Sequence, residues 1–157
     1  MLYVVRHAKA GSRHDFKGDD RLRPLSGSGK RQSEALATCL APLVSPDSAR
    51  LISSPFLRCI QTLRPLAKAI GASVETDECL AEGHGFLDVL DLLTTLPDTS
   101  VICSHGDVIP DIIGALERRG CEFLSPPDFR KASVWALDHE GSEIRRADSW
   151  PPPVIGP

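Results

Sequence analysis

Apolar positions along this chain alternate between the spacing of a strand and the spacing of a helix. Residues 2–6, Leu-Tyr-Val-Val-Arg, are a short run of strand-forming side chains and predict a first strand. Residues 7–25 are polar and contain glycine, which predicts a long loop of the kind that is usually functional or disordered. Leu36, Leu40 and Leu43 fall on one helical face, so a helix is expected over residues 29–43, with Pro42 and Pro46 helping to end it. Residues 50–54 predict a second strand. Ser54 as N-cap and Pro55 at the first helical position then open a helix whose stripe is Phe56, Ile60, Leu63, Ala67 and Ile70. Pro65 should kink or split that helix, and Gly71 should stop it. A third strand is expected at 72–76, a loop at 77–85 and an apolar helix at 86–96 before Pro97. Residues 100–104 are apolar throughout their interior, as in a parallel strand covered on both faces. A helix over 108–119 would face Val108, Ile112, Ile113 and Leu116 inward and tolerate Pro110 in its first turn. Residues 131–138 and 142–150 flank His139-Glu140-Gly141 as a closing hairpin.

This alternation argues for an α/β fold: a three-layer α/β/α sandwich with a mainly parallel sheet and an antiparallel edge. Residues 1–150 read as a single domain and 151–157 as an extended, Pro-rich tail. With 41% hydrophobic and only 5% aromatic residues, the core must be filled by Leu, Val, Ile and Ala. The five cysteines, an odd number without a CxxC, indicate neither a disulfide framework nor a zinc site. The apolar run before Arg6 is too short for a signal peptide, and no run approaches transmembrane length. A reduced, cytoplasmic protein with no membrane partner is therefore expected.

Net charge is −3, which argues against a nucleic-acid polymer as partner. The charge is uneven, however: residues 1–31 carry eight Lys or Arg against three Asp, leaving that segment at +5 and the remainder at −8. A basic island in an acidic protein suggests a local anion site. Lys9, Arg13 and Lys30, at its margins, read as solvated loop charges.

In open α/β sheets, ligands bind at the carboxyl ends of strands. Three such ends are polar here. The first bears Arg6 and His7. The second bears Ser53 and Ser54, with Arg58 one turn into the next helix. The fourth bears Ser104, His105, Gly106 and Asp107. Two of these tips lead into helix N-termini, which favour anions. Singly, each residue has a commoner explanation as a surface ion pair or a hydrogen-bonded structural histidine. Their convergence favours a cationic cup. His14, His84 and His139 read as surface residues, the first two near its mouth. Cys59 and Cys103 flank the cup and read as buried, inert thiols.

"VVRHAKAG", "ISSPFLRCIQT" and "VICSHGDVI", in that order, resemble the histidine phosphatase superfamily, the phosphoglycerate-mutase-like group. "RLRPLSGSGKRQSEAL", "SSPFLRCIQT" and "ASVWALDHEG" resemble its SixA-type phosphohistidine phosphatase branch. The chain is also similar to histidine phosphatase domains that accompany nudix hydrolases of nucleotides. The resemblance implies a phosphoglycerate-mutase-like fold and a phosphatase that works through a covalent phosphohistidine at His7, without metal or other cofactor. It implies that Arg6 and Arg58 hold phosphate oxygens, that His105 donates to the transferring group and that Arg23 adds a substrate contact. Glu82 is the candidate general acid by position, with Asp107 as rival. Ala8 stands where the family has glycine. The substrate implied is phosphohistidine on a protein, with a small phosphorylated metabolite or nucleotide as alternative. A phosphate-binding module without turnover is the rival of another class.

Overall fold

Side-chain alternation along the first strand divides the core in two. Leu2 and Val4 point into one buried cluster, Tyr3 and Val5 into the other, as the two-residue period of a strand requires. The structure is a computed structural model, and it describes residues 1–156. Its elements are β1 (Leu2–Arg6), α1 (Gly27–Leu40), β2 (Leu51–Ser53), α2 (Leu57–Ile70), β3 (Val74–Thr76), α3 (Leu87–Thr95), β4 (Val101–Ser104), α4 (Val108–Arg118), β5 (Glu122–Phe123), β6 (Val134–Glu140) and β7 (Glu143–Trp150). Among the described residues these strands form one sheet in the order β3-β2-β4-β1-β6-β7-β5. From β3 to β1 the neighbours are parallel. The hairpin β6–β7 continues the sheet antiparallel to β1, and β5 lies parallel to β7 at the far edge. One face is covered by α1 and α2 through Leu36, Leu40, Leu63 and Leu66, the other by α3 and α4 through Val89, Leu93, Ile112 and Leu116. The three-layer α/β/α architecture is thus the one the alternation predicts.

The differences from the sequence reading have local causes. The first helix starts at Gly27, capped by Ser26, whose Oγ accepts the Gly29 N–H at 3.1 Å. It ends at Leu40, and Ala41–Leu43 is a separate 3₁₀ turn that leaves Leu43 43% exposed, off the buried stripe. Ser54 is not the N-cap of the second helix: Phe56 is, without a side-chain bond, because Ser54 Oγ is drawn to His105. Pro65 does not split α2, which runs unbroken to Gly71 in the left-handed conformation (φ 70°). The buried face of α2 also includes Cys59, Thr62 and Leu66, while Ile60 and Ile70 sit at its margin. The two-residue strand β5 gave no periodic signal. Beyond Trp150, residues 151–156 adopt no regular element; of the tail read at 151–157, residue 157 lies outside the described residues.

Candidate phosphate-binding site

Sheet register places the polar tips side by side. Arg6 of β1 stands opposite Ser104 of β4, so the next residues, His7 and His105, leave the sheet together. Ser53 of β2 stands opposite Cys103, which brings Ser54 to the same rim. The His7 and His105 rings lie 5.4 Å apart, edge to face. His7 N–H donates to the Ser104 carbonyl at 3.1 Å, locking the two tips.

His7 is 5% exposed. Its Nδ1 lies 2.7 Å from the Ala8 carbonyl, which can only accept, so Nδ1 carries the proton and Nε2 keeps its lone pair. Burial lowers the pKa of the ring to about 3; the Ala8 bond opposes this, and His105, Arg58 and Lys131 add to it. Ala8, in place of glycine, is fully buried, and its N–H donates to Thr62 Oγ1 at 3.0 Å. Thr62 Oγ1 in turn donates to the Arg58 carbonyl at 2.7 Å, so one hydroxyl ties the turn after His7 to the first turn of α2.

Arg58 is 1% exposed. Its guanidinium donates to the Asp20 carbonyl at 3.0 Å and to Glu82 Oε2 at 2.9 Å, and stacks 4.8 Å from the Phe56 ring centroid. Asp20 also accepts from Arg23 Nε at 2.8 Å, and Arg23 donates to the Gly11 carbonyl at 2.6 Å. The Arg23 hydrogen bond holds the Asp20 carboxyl below its usual range; burial opposes it, and the charges of Arg58, Arg23 and Arg13 add to the lowering. Arg6 donates to the Phe129 carbonyl and lies over Gly106, where any Cβ would stand 2.6 Å from its guanidinium carbon. Burial lowers its pKa, and Asp107 offsets part of that. On the other side of the cup, Ser54 Oγ accepts the Phe56 N–H at 3.3 Å and lies 2.7 Å from His105 Nε2. The Ser54 hydroxyl thus ties the His105 ring to the start of α2.

Four buried side-chain nitrogens have no hydrogen-bond partner among the described residues, and three of them belong to residues of the strand tips: Arg6 Nε, Arg58 Nε and His105 Nδ1. Buried polar groups are rarely left unpaired. Two unpaired guanidinium N–H donors and a free imidazole nitrogen at one rim are suited to an oxyanion.

The residues singled out from the sequence thus meet. Arg6, His7, Arg58 and His105 form the cup, while Arg23 and Glu82 flank Arg58. Asp107 Oδ2 accepts the Gly83 N–H at 2.8 Å and so anchors the Glu82 loop. Ser53 and Ser104 do not line the cup; their hydroxyls donate to the Ser54 and Leu80 carbonyls. His14 and His84 are exposed, and His139 pairs with Asp98. Arg13 is not a free loop charge: it donates to Glu82 at 2.9 Å and lies 3.6 Å from Asp20. Cys59 and Cys103 are buried. Burial raises both thiols, but the hydrogen bond with Cys103 and the nearby His105 and Arg58 bring Cys59 down to about 6. Sequence reasoning missed Asp20 and Lys131. Asp20 was visible only as one acid inside the basic island, and Lys131 gave no signal, since the fold alone brings it beside residue 7.

The sequence profile described as Histidine phosphatase superfamily (branch 1) matches residues 2–88. The chain belongs to the histidine phosphatase superfamily. A curated relative, 8-oxo-(d)GTP phosphatase of Mycolicibacterium smegmatis (strain ATCC 700084 / mc(2)155), is 34% identical over 159 residues. That match covers 97% of this chain and 48% of the relative, so the chain spans about half the relative's length. Among solved structures, the protein histidine phosphatase SixA complexed with tungstate superposes with a TM-score of 0.73 at 24% identity, covering 96% of each chain. A mycobacterial glucosyl-3-phosphoglycerate phosphatase superposes at 0.64 with 19% identity, over 95% of this chain and 97% of the other. These structural likenesses establish a shared histidine phosphatase fold. Among the described residues, no helix is long and apolar enough to cross a membrane.

Proposed function

We propose that this protein is a phosphatase that forms a covalent phosphohistidine at His7. The observation that carries this reading is an imidazole with its Nδ1 proton held by a carbonyl, at a rim that also bears three buried, unpartnered side-chain nitrogens. His7 Nε2 attacks the phosphorus, a P–N bond forms, and the leaving group departs with the electron pair of the broken bond. Arg6, Arg58 and His105 face the equatorial oxygens, so the developing charge meets donors already in place. Water then attacks the phosphohistidine; a P–O bond forms, the P–N bond breaks, the ring keeps its Nδ1 proton and the water proton leaves with phosphate or solvent. The charge is met by guanidinium and imidazole groups, and no step calls on a metal. Arg23 aligns Asp20, and Glu82 holds the Arg58 guanidinium, so both carboxylates act as acceptors that position arginines.

The substrate follows one of two readings. Phosphohistidine on a protein is implied by the sequence resemblance to SixA-type enzymes. A small phosphorylated molecule or nucleotide is supported by the 34% identity to a relative named 8-oxo-(d)GTP phosphatase, and by an open basic cavity beside the cup. Action in the cytoplasm is part of the same proposal. Incubation with phenyl phosphate, phosphohistidine peptide and nucleotides tests it. Phosphate release and acid-labile labelling of the protein are expected, and both should be abolished by His7→Ala. Equal release by the variant would remove the covalent mechanism, and binding without release would leave a phosphate-recognising module.

A further inference from the structure

Next to the cup lies an open cavity of about 660 Å³. Its walls bear five cationic side chains, Lys9, Arg13, Arg23, Arg130 and Lys131, and no carboxylate. Three are already engaged: Arg13 by Glu82, Arg23 by Asp20 and Arg130 by Asp128. Among the described residues, Lys9 and Lys131 have no ion-pair partner.

Both lysines sit on backbone fastened to the nucleophile. Lys9 follows His7 by two residues. Its N–H donates to Gln32 Oε1 at 2.9 Å, and its carbonyl accepts the Ser26 N–H at 2.9 Å. Lys131 precedes Ala132, a fully buried alanine held at φ 67°, where non-glycine residues are uncommon. The Ala132 N–H donates to the Arg6 and His7 carbonyls at 3.1 and 3.3 Å, and the Arg6 N–H donates to the Ser133 carbonyl at 3.1 Å. The turn 130–133 is thereby stitched to the end of β1. Lys131 is half-buried; burial lowers its pKa, and Arg6, Arg23, Arg58 and Arg13 lower it further. It lines the cavity, and the next residue's N–H is bonded to the His7 carbonyl. A half-buried ammonium among four guanidinium groups, with no counter-charge, is unfavourable until an anion arrives.

We propose that Lys131 and Lys9 hold a second phosphate, joined through one bridging oxygen to the phosphoryl group at His7, and that the preferred substrate is a small molecule ending in a diphosphate. This rests on the reading of His7 above. The chemistry of the leaving group agrees with it. Cleavage breaks the bond between the terminal phosphorus and the bridging oxygen, and the P–N bond forms at His7. The bridging oxygen keeps the electron pair as part of the remaining monophosphate, which is stable without a proton. An alkoxide leaving group would need a proton donor, yet the candidate acids Glu82 and Asp107 and the neighbouring Asp20 are all occupied as acceptors. A diphosphate removes that need.

The test compares ADP and GDP with AMP, GMP, phenyl phosphate and a phosphohistidine peptide, using wild type, Lys131→Gln, Lys9→Gln, Lys131→Arg and His7→Ala. Wild type is expected to prefer the diphosphates in kcat/KM, and inorganic pyrophosphate should inhibit more tightly than inorganic phosphate. Lys131→Gln should lose about 10–100-fold of that preference, as expected for one charge-assisted contact, and Lys131→Arg should restore most of it. Lys9→Gln should shift the ratio in the same direction by less. An unchanged ratio in Lys131→Gln, pyrophosphate no tighter than phosphate, or a phosphohistidine peptide turned over faster than the diphosphates would each overturn the proposal. Release by His7→Ala equal to wild type would instead overturn the catalytic reading. Turnover of phenyl phosphate that needs His7 but shows no diphosphate preference would remove the second subsite alone.

Discussion

Gly106→Ala separates catalysis from stability in this site. A Cβ at residue 106 would lie 2.6 Å from Arg6 Cζ and Nη2 and 2.9 Å from Nε, with no backbone atom among its near neighbours. Gly106 does not have a positive φ, so alanine is compatible with the chain there. The strain therefore falls on the end of a flexible side chain, which must retreat by about 0.8 Å to reach an ordinary 3.4 Å contact. That retreat displaces the guanidinium from the position in which it would hold phosphate oxygens. A misplacement of about 1 Å costs on the order of 10²-fold in rate. Complete loss of an electrostatic stabiliser costs about 2.7–4 kcal/mol, or about 10²–10³-fold. The expected outcome is a fall in kcat on phenyl phosphate of about 10²-fold, with Tm within a few degrees of wild type. A double-mutant cycle with Arg6→Ala decides the route. If the alanine acts through Arg6, adding it to Arg6→Ala costs nothing further. Wild-type kcat in Gly106→Ala, or losses that multiply in the double variant, would refute the reasoning.

Gly29→Ala is the opposite case: its Cβ would stand 1.8 Å from the Lys9 carbonyl oxygen, a backbone atom that cannot step aside. It should cost about 3 kcal/mol as overpacking, or about 6–12 °C in Tm by calorimetry for a chain of this size. The folded His7 pKa of about 3 lies below the ordinary 6.5, so the unfolded state binds the extra proton between those values. His7 thus makes stability fall as pH drops from about 6.5 towards 3. His7→Asn should flatten that part of a Tm-against-pH curve, while wild-type kcat/KM should hold well below pH 6.5. Glu82→Gln should lower kcat by similar factors for phenyl and alkyl phosphates, since Glu82 positions Arg58; a loss confined to the alkyl ester would mark it as the general acid. Asp20→Asn should lower stability by about 1–2 kcal/mol in denaturant unfolding, a modest value because the Asp20 side chain is one-third exposed.

Local pattern in the sequence determined the element order, the two-sided burial of the sheet and the polar strand tips. Val101–Cys103 and Leu2–Val5 are apolar because both faces are covered, and that is visible in any short window of residues. The four residues of the cup were legible for a related reason: a parallel strand tip presents the residues just after it to the ligand edge. Tertiary structure decided what short windows cannot encode. Ser54 bonds His105 instead of capping α2 because the β2–β4 register brings them together across 51 positions of chain. Asp20 meets Arg58, and the turn bearing Lys131 meets His7, through long-range closure alone. Capping and periodicity act over a few residues, whereas an electrostatic network depends on which distant segments the sheet brings to one edge.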